Sequence, residues 1–309
     1  MKKLLFLIPF CLLSALPSMA QYVVEDDGAS SVVMNFLALP RDPSSMAVGG
    51  QYAFGGSPAY AVFANPAAVP CCKEMVSAAF SYGMWQPSMA AASTAYSGGF
   101  SINNGGKFGI SVGFATDPLK SKTVPSDNDG TRTDGPQPST MMVGGGFSFR
   151  PVDWLSLGVS LKYANQSLVG DDMSVIAGDA FIMFRKSGFS AVAGIRNLGD
   201  TVEPGYSIPR ALVFGASYSL SVGIHSLSAS VECDRFSYGA VRVCAGGTYS
   251  IADIFSASAG YNYGGDSPFG DFVSTGIGLN LDHICLSGAY LVADGPLDGT
   301  FCLGLELKF

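Results

Sequence analysis

The residue types that most often carry catalysis or bind metals are scarce and poorly grouped in this sequence. It contains two histidines, His225 and His283, and both fall at predicted turns with no fixed carboxylate, serine or cysteine partner. A general base or a zinc ligand needs such partners within hydrogen-bonding or coordination distance. The sequence therefore predicts no enzymatic activity, no metal site and no other cofactor.

A run of three glycines, Gly144-Gly145-Gly146, is the one stretch that could be compared with a phosphate-binding loop. It lacks the Gly-Lys-Ser/Thr sequence that follows in such loops, and it lies inside a predicted strand. Glycines within a strand more often mark a bend or the close approach of another backbone. We therefore interpret the run as part of a curved wall.

The sequence contains seven cysteines: Cys11, Cys71, Cys72, Cys233, Cys244, Cys285 and Cys302. Cys11 falls in the N-terminal apolar stretch, and the remaining even number permits disulfides in an exported chain. The predicted strand register does not place Cys233 opposite Cys244, which favours free, packed thiols. Cys71-Cys72 stays open as a tether between the N-terminal segment and the rest of the molecule.

A group of charged residues alternates with apolar residues along predicted strands and could bind a ligand or another protein segment. If these side chains faced lipid, each basic one would cost about 2–4 kcal/mol near the membrane midplane, so we predict that they face a lumen. They either pair with one another and with a segment inside the lumen, or hold a ligand that enters it. The candidates are Arg150, Lys162, Arg185, Arg196, Glu232, Asp234 and Arg242.

The elements that must position these charges are short strands with two different faces. In "LSLGVSLKY", residues 155–163, large apolar residues alternate with small or polar ones, which is typical of a strand between two solvents. The same alternation recurs from Met75 to Phe309. It predicts fourteen strands, at 75–85, 91–103, 106–116, 139–150, 154–166, 173–185, 188–197, 210–220, 224–234, 238–250, 254–263, 271–281, 284–293 and 300–309.

The predicted connections alternate in length. Those after even-numbered strands are tight, such as Lys186-Ser187 and Asp282-His283, whereas those after odd-numbered strands include the long stretch from Asp117 to Pro138. Outer-membrane barrels have short periplasmic turns and longer outer loops, and an even strand number lets the last strand close on the first. The pattern predicts a barrel with both ends of its wall on the periplasmic side.

Composition agrees with an exported membrane barrel. Lys2-Lys3, the apolar run 4–13 and the small residues at 18–20 predict a signal peptide over residues 1–20. Only 13% of residues are charged and mean hydropathy is +0.31, yet after the signal no apolar run reaches the roughly 18 residues of a membrane helix. The net charge of −7 argues against nucleic acid as a partner.

The N-terminal part resembles a known family. "FLALPRDPSSMAVGGQYAF" followed by "FANPAAVP", with "GIRNLGD" and "ASAGYNYG" downstream, is similar to the PorV/PorQ family, relatives of the FadL-type fatty-acid channels. "RDPSS" departs from the smoother small-residue run usual there. The resemblance implies that residues 46–70 form a hatch within or beneath the barrel, with an exposed linker as the alternative. Its candidate residues are Gly49, Gly50, Gly55, Gly56, Asn65 and Pro66.

The sequence thus predicts an all-β transmembrane barrel of about fourteen strands in the bacterial outer membrane. Its parts are a signal peptide (1–20), an N-terminal extension with the hatch (21–74) and the barrel (75–309). The resemblance implies a non-enzymatic accessory of type IX secretion, whose partners are outer-membrane lipid and either secretion-system proteins or the C-terminal domain of secreted cargo. The alternative is a FadL-like channel for hydrophobic small molecules.

Overall fold

Fourteen antiparallel strands form a closed barrel, as the sequence predicts. The computed structural model describes residues 31–54, 56–85, 93–118, 139–168, 171–199, 206–264, 270–294 and 297–309, so the predicted signal peptide lies outside the described residues. The strands are β1 (Val76–Trp85), β2 (Ser93–Asn104), β3 (Phe108–Pro118), β4 (Ser139–Val152), β5 (Leu155–Leu168), β6 (Asp171–Lys186), β7 (Phe189–Gly199), β8 (Ala211–Val222), β9 (His225–Phe236), β10 (Val241–Ile251), β11 (Phe255–Tyr263), β12 (Phe272–Leu281), β13 (Ile284–Ala293) and β14 (Phe301–Lys308).

The barrel closes because β14 pairs with β1, in a register that places Phe301 opposite Met84. Each strand pairs with its neighbours in sequence, and two shifts interrupt this regularity: one between β4 and β5, and one between β6 and β7 at Gly178 and Ala180. Closure matters in lipid, where every backbone N–H and C=O must find its partner within the protein.

The two faces of the wall follow the predicted alternation. On β5, Leu157 and Leu161 are 41% and 64% exposed on the outer face, whereas Ser156 and Lys162 are each 1% exposed on the inner face. At one end of the barrel the outer face carries exposed aromatic residues, as the membrane interface of such barrels does. They include Phe108, Phe149, Trp154, Phe189 and Phe309.

Short turns gather at that end, which we call the short-turn end. They comprise residues 105–107, 153–154, 187–188, 223–224, 252–254 and 282–283. The connections at the opposite end, the long-loop end, are mostly longer, as predicted. The connection after β5 is an exception, since only residues 169–170 separate β5 from β6.

Residues 31–54 and 56–72, here called the lumenal segment, lie inside the barrel. Ser31–Val32 pair in parallel with Tyr206–Ser207 in the connection between β7 and β8, at the long-loop end. Near the short-turn end, the carbonyl of Cys72 accepts a hydrogen bond of 2.9 Å from Asn103. The segment therefore runs the length of the lumen. No helix in the described part of the chain is long and apolar enough to cross a membrane.

Four short helices shape the lumenal segment: α1 (Pro43–Ala47) and three 3-10 helices, Asn35–Ala38, Pro58–Phe63 and Pro66–Cys71. Asn65 caps the last of them, because its side chain accepts a hydrogen bond of 3.0 Å from the N–H of Ala67. Proline then occupies the first helical position, where its missing N–H costs nothing. Asn65-Pro66 thus separates two helices and begins the second.

Glycines let the segment and the wall approach at backbone distance. A Cβ on Gly99 of β2 would lie 2.1 Å from the carbonyl oxygen of Ala59, and one on Gly158 of β5 would lie 2.2 Å from the amide nitrogen of Ala67. Neither contact leaves room for a side chain, and backbone atoms cannot move aside cheaply. The glycine content of the strands therefore has a steric cause on the lumenal side.

Candidate functional site

The lumenal segment is held to the wall by a buried cluster of charges toward the long-loop end. Glu232 of β9 accepts hydrogen bonds from the backbone N–H groups of Tyr52, at 3.0 Å, and Ala53, at 2.7 Å. Arg242 of β10 lies 3.2 Å from Glu232 and also pairs with Asp234. These three charged side chains are each 1% exposed, and the positive charge of Arg242 lowers the cost of burying the two acids beside it.

Tyr52 lies between two guanidinium groups in the same cluster. The Arg196 guanidinium lies 3.5 Å from the ring centroid and that of Arg242 lies 4.4 Å from it, which is cation–π geometry. The Tyr52 hydroxyl donates to the carbonyl of Ala38. Burial raises the pKa of Tyr52 above its ordinary value, so the phenol is neutral and serves as a donor. One side chain thus joins the segment to β7 and β10.

A second ion pair fixes the start of the segment. Arg41 contacts Asp117 of β3 at 3.0 Å and donates to the carbonyl of Phe36, while Thr140 donates to the same carboxylate at 3.0 Å. Arg41 and Asp117 are both buried. Arg41, which belongs to the stretch "RDPSS", therefore anchors the lumenal segment to β3.

A third polar group lies where the wall is irregular. On β6, Asp179 alone faces Arg196 and Asn197 of β7, which makes a β-bulge. Asn197 has a φ of 52° and its N–H donates to Asp179 at 2.8 Å. Lys162 of β5 contacts Asp179 at 2.7 Å and Asn197 at 2.8 Å. At this bulge, side-chain contacts take the place of backbone hydrogen bonds between β6 and β7.

The structure separates the seven predicted lumenal charges into two groups. Lys162, Arg196, Glu232, Asp234 and Arg242 are buried against the segment or one another. The other two, Arg150 and Arg185, lie at the short-turn end.

These two rim residues contact the end of the lumenal segment. Arg185 donates to the carbonyl of Cys71 at 2.9 Å, and Arg150 approaches that of Pro70 at 3.5 Å. They are solvent-accessible, unlike the buried five. All seven therefore serve contacts within the protein.

Sequence reasoning misses Asp179, Asp117, Arg41 and Tyr52. Asp179 is hidden because both faces of β6 are apolar: Ile182 faces out, while Phe181 and Met183 face in, so alternation does not mark the lumenal side. Asp117 falls in a predicted loop rather than at the end of β3. The signal that could identify Asp179 is the register with β5, which places it opposite a serine on the inner face.

The predicted hatch glycines differ in their roles. Gly49 and Gly50 have φ of +86° and +74°, and a Cβ on Gly49 would lie 2.8 Å from the carbonyl oxygen of Tyr261. Gly56 has no positive φ and packs near Ser45 and Asp42, whereas Gly55 lies outside the described residues. Among the described hatch glycines, Gly49 and Gly50 are therefore the two whose backbone conformation requires glycine.

The cysteines and possible metal ligands offer no further site. All six cysteines after Cys11 are free, including Cys71 and Cys72, so no disulfide tethers the segment to the wall. Burial raises the pKa of Cys72 to about 12, which keeps it a thiol. Within the described ranges, no group of three or more histidine, cysteine or acidic residues could hold a metal ion.

A cavity of about 400 Å³ lies in the short-turn half of the lumen, between the lumenal segment and one side of the wall. Strands β8 to β13 line it with small residues, many of them serines, such as Ser217, Ser230 and Ser256. The segment lines the other side with Ala47, Val48 and its neighbours. A volume of this size suits a small molecule.

A second cavity, of about 580 Å³, lies on the outer wall between β3 and β7. Its lining is almost wholly apolar and includes Leu161, Ile195 and Leu198, with Gly145 and Gly178 leaving the space open. The lining also reaches Asp179, an inward-facing residue of the β-bulge. We call this cavity the outer groove.

No family model and no curated protein matches the chain, so membership of the PorV/PorQ family stays a prediction. Solved structures of similar shape do match. The toluene transporter TbuX of Ralstonia pickettii has a TM-score of 0.64 at 13% identity, over 89% of this chain and 100% of that one.

Two further solved structures give the same result. The toluene transporter TodX of Pseudomonas putida has a TM-score of 0.57 at 11% identity, over 88% of this chain and 99% of that one. A Pseudomonas aeruginosa FadL homologue has a TM-score of 0.52 at 11% identity, over 87% and 98%. At such identities the likeness establishes the fold: the chain has the fourteen-stranded barrel architecture of these proteins.

Proposed function

We propose that this protein is a non-enzymatic outer-membrane channel for hydrophobic small molecules, closed at rest by its lumenal segment. The observation that carries the proposal is the outer groove, an apolar cavity that meets the wall at the β-bulge of Asp179 and Asn197. A hydrophobic molecule in the membrane would reach, at this point, a part of the wall where side-chain bonds replace backbone pairing. The fold shared with two toluene transporters supports the same proposal.

The route inward is closed by groups that can separate without breaking the barrel. Lys162, Asp179 and Asn197 bridge the bulge through side chains. Glu232 holds the segment through two backbone N–H groups. Rearrangement of these contacts leaves the remaining strand ladder intact, so opening is a local event.

Uptake of ring-labelled toluene by Gram-negative cells tests the proposal. Cells that display the protein in their outer membrane are compared with cells that carry the empty vector, and a higher initial rate is expected. Gly145→Phe should lower the rate, because Gly145 lines the outer groove and a Cβ at this position would meet no atom within 4 Å. The first carbon of the new side chain therefore meets no steric obstacle. Equal uptake with and without the protein would contradict a channel.

Ala259→Phe is the matched control, because it adds the same ring to an exposed outer position on β11, across the barrel from β4. It should leave uptake unchanged. A loss of uptake in both variants would show that the ring harms the barrel in general rather than the groove.

The secretion accessory implied by the PorV/PorQ resemblance is a second candidate. It is favoured by "FANPAAVP" together with the solvent-accessible Arg150 and Arg185 at the short-turn end, which offer polar anchors to a protein. Affinity purification from outer membranes, followed by identification of the proteins that co-elute, tests it. Retention of a secretion-system protein that is lost in an Arg150→Ala/Arg185→Ala double variant would support this candidate.

A further inference from the structure

The cavity in the short-turn half of the lumen has two chemically different sides. The wall presents hydroxyl groups, and those of Ser217, Ser219, Ser230, Ser256 and Ser287 make no side-chain hydrogen bond with the described part of the protein. Each can donate one hydrogen bond and accept others. This side is therefore able to bind a ligand that carries a hydrogen-bonding group.

The facing side belongs to the lumenal segment and is largely apolar. Ala47, Val48, Phe54, Ala61 and Ala64 line it. A hydrocarbon ring or chain that packs on these side chains removes apolar surface from water, which favours binding by about 25 cal/mol per Å². The cavity thus has one apolar side, formed by the lumenal segment, and one side with hydroxyl groups, formed by the wall.

Charge is nearly absent from this cavity. Among the described residues that line it, Arg185 alone is charged, and its exposed guanidinium donates to the carbonyl of Cys71 at 2.9 Å. A carboxylate in the cavity would lose water without gaining a buried cation, which is costly. A pure hydrocarbon would instead displace water from the serine hydroxyls and leave them without partners.

Resting on the proposed channel function, we infer that the cavity selects neutral hydrophobic molecules that carry a hydroxyl group, such as phenols and small alcohols, over hydrocarbons and carboxylates. The hydroxyl of the ligand binds the serine side, and its hydrocarbon part packs on the lumenal segment. The cavity volume of about 400 Å³ accommodates such a molecule.

Binding of three probes of equal ring size tests the inference: phenol, benzene and benzoate at pH 7, where phenol is neutral. Ligand-observed NMR on the full protein in lipid nanodiscs gives the affinities, with empty nanodiscs as the blank. Phenol should bind about tenfold more tightly than benzene, which corresponds to one to two hydrogen bonds, and benzoate should bind most weakly. Equal affinities for phenol and benzene would overturn the inference.

A serine double variant locates the effect. Ser230→Ala/Ser256→Ala removes two cavity hydroxyls and should lower phenol affinity several-fold while leaving benzene unchanged. Ser221→Ala/Ser226→Ala is the control, because these two serines bond to each other at 2.9 Å and do not line the cavity. A phenol affinity that both double variants leave unaltered would place the binding elsewhere and contradict the inference.

The toluene uptake assay distinguishes a failure of this inference from a failure of the proposed channel function. Uptake of toluene without any preference for phenol would leave the channel standing and refute the selectivity. A phenol preference that depends on the two cavity serines, without toluene uptake, would support the site and refute the channel.

Discussion

In the short-turn half of the lumen, the two sides of the lumenal segment meet the barrel wall in opposite ways. On the side of β2 to β5, the segment lies against glycine backbone, as at Gly99 and Gly158, with no room for a single added carbon. On the side of β8 to β13, toward the short-turn end, serine hydroxyls border a cavity of about 400 Å³. Farther from the short-turn end, Gly246 of β10 and Gly260 of β11 also contact Val48 at backbone distance. The difference between the two sides is therefore confined to the short-turn half of the lumen, where one side is filled and the other leaves space for a ligand.

This difference indicates where the segment can open. Pro58–Phe63 and Pro66–Cys71 pack on β2 to β5 and fill their side of the lumen. Tyr52 and Ala53 cross to the other side and are held there by the carboxylate of Glu232. Release of that carboxylate removes two hydrogen bonds from this side, while the contacts of the packed side stay in place. The following predictions test this comparison, beginning with the largest expected effect.

Gly158→Val should displace the segment from its packed side. Its Cβ would lie 2.2 Å from the backbone nitrogen of Ala67, so one of the two chains must move. We expect loss of protection of the lumenal segment from protease in the purified barrel. Gly145→Val is the control, because a Cβ there meets no atom within 4 Å, and its digestion should match that of the wild type. Equal protection of the lumenal segment in both variants would contradict its close packing against β5.

Glu232→Ala should destabilise the folded protein by about 2–6 kcal/mol, because it leaves two buried backbone N–H groups without acceptors, while Arg242 keeps Asp234 as its partner. Urea denaturation in detergent measures the free energy of unfolding. Glu232→Gln keeps an acceptor at the same position and should cost less. A cost below about 1 kcal/mol for the alanine variant, the level of a solvent-exposed pair, would show that the cluster does not hold the segment.

Leu157→Arg should cost about 2–4 kcal/mol, because this exposed residue of β5 faces lipid. Ser219→Arg places the same cation on an exposed inner position beside the cavity and should cost far less. The fraction of heat-modifiable, folded barrel after refolding measures both effects. Equal losses would contradict the assignment of the two faces.

The smallest effect concerns Asp42, which caps α1 through Ser45. Burial raises its pKa from 3.8 to about 6, and nearby Glu306 acts in the same direction. The folded state therefore binds the proton more tightly, so lowering the pH from 7 to 5 should stabilise it by about 1 kcal/mol through this group.

Asp42→Asn removes that titration while keeping a good cap. Hydrogen exchange of the α1 amides at pH 7 and pH 5, with exchange rates corrected for pH, compares the two proteins. A wild-type gain in protection at pH 5 is expected, and the variant should lack it. The same gain in the variant would assign the effect to other groups.

The wall is predictable from sequence because its two faces meet different solvents. Leu157 and Ser156 reveal their positions by type alone, and tight turns such as Asp282-His283 mark the strand ends. β6 is less informative, because its inner residues Phe181 and Met183 pack on the segment and are as apolar as those facing lipid.

The lumen is less predictable because its contacts join residues far apart in sequence. Tyr52 stacks between Arg196 and Arg242, and Arg41 pairs with Asp117. No local pattern links such partners, since they meet only when the barrel closes around the segment. The inward charges are recognisable as a set, but their pairing is not.

Single-channel recording in planar bilayers tests the central claim most directly, namely that the lumenal segment closes the barrel. The wild-type protein is compared with a variant that lacks residues 46–70 and keeps all fourteen strands, after both are shown to be heat-modifiable. We predict a closed baseline for the wild type and a steady ion conductance for the deletion variant. The same closed baseline for both proteins would contradict the claim.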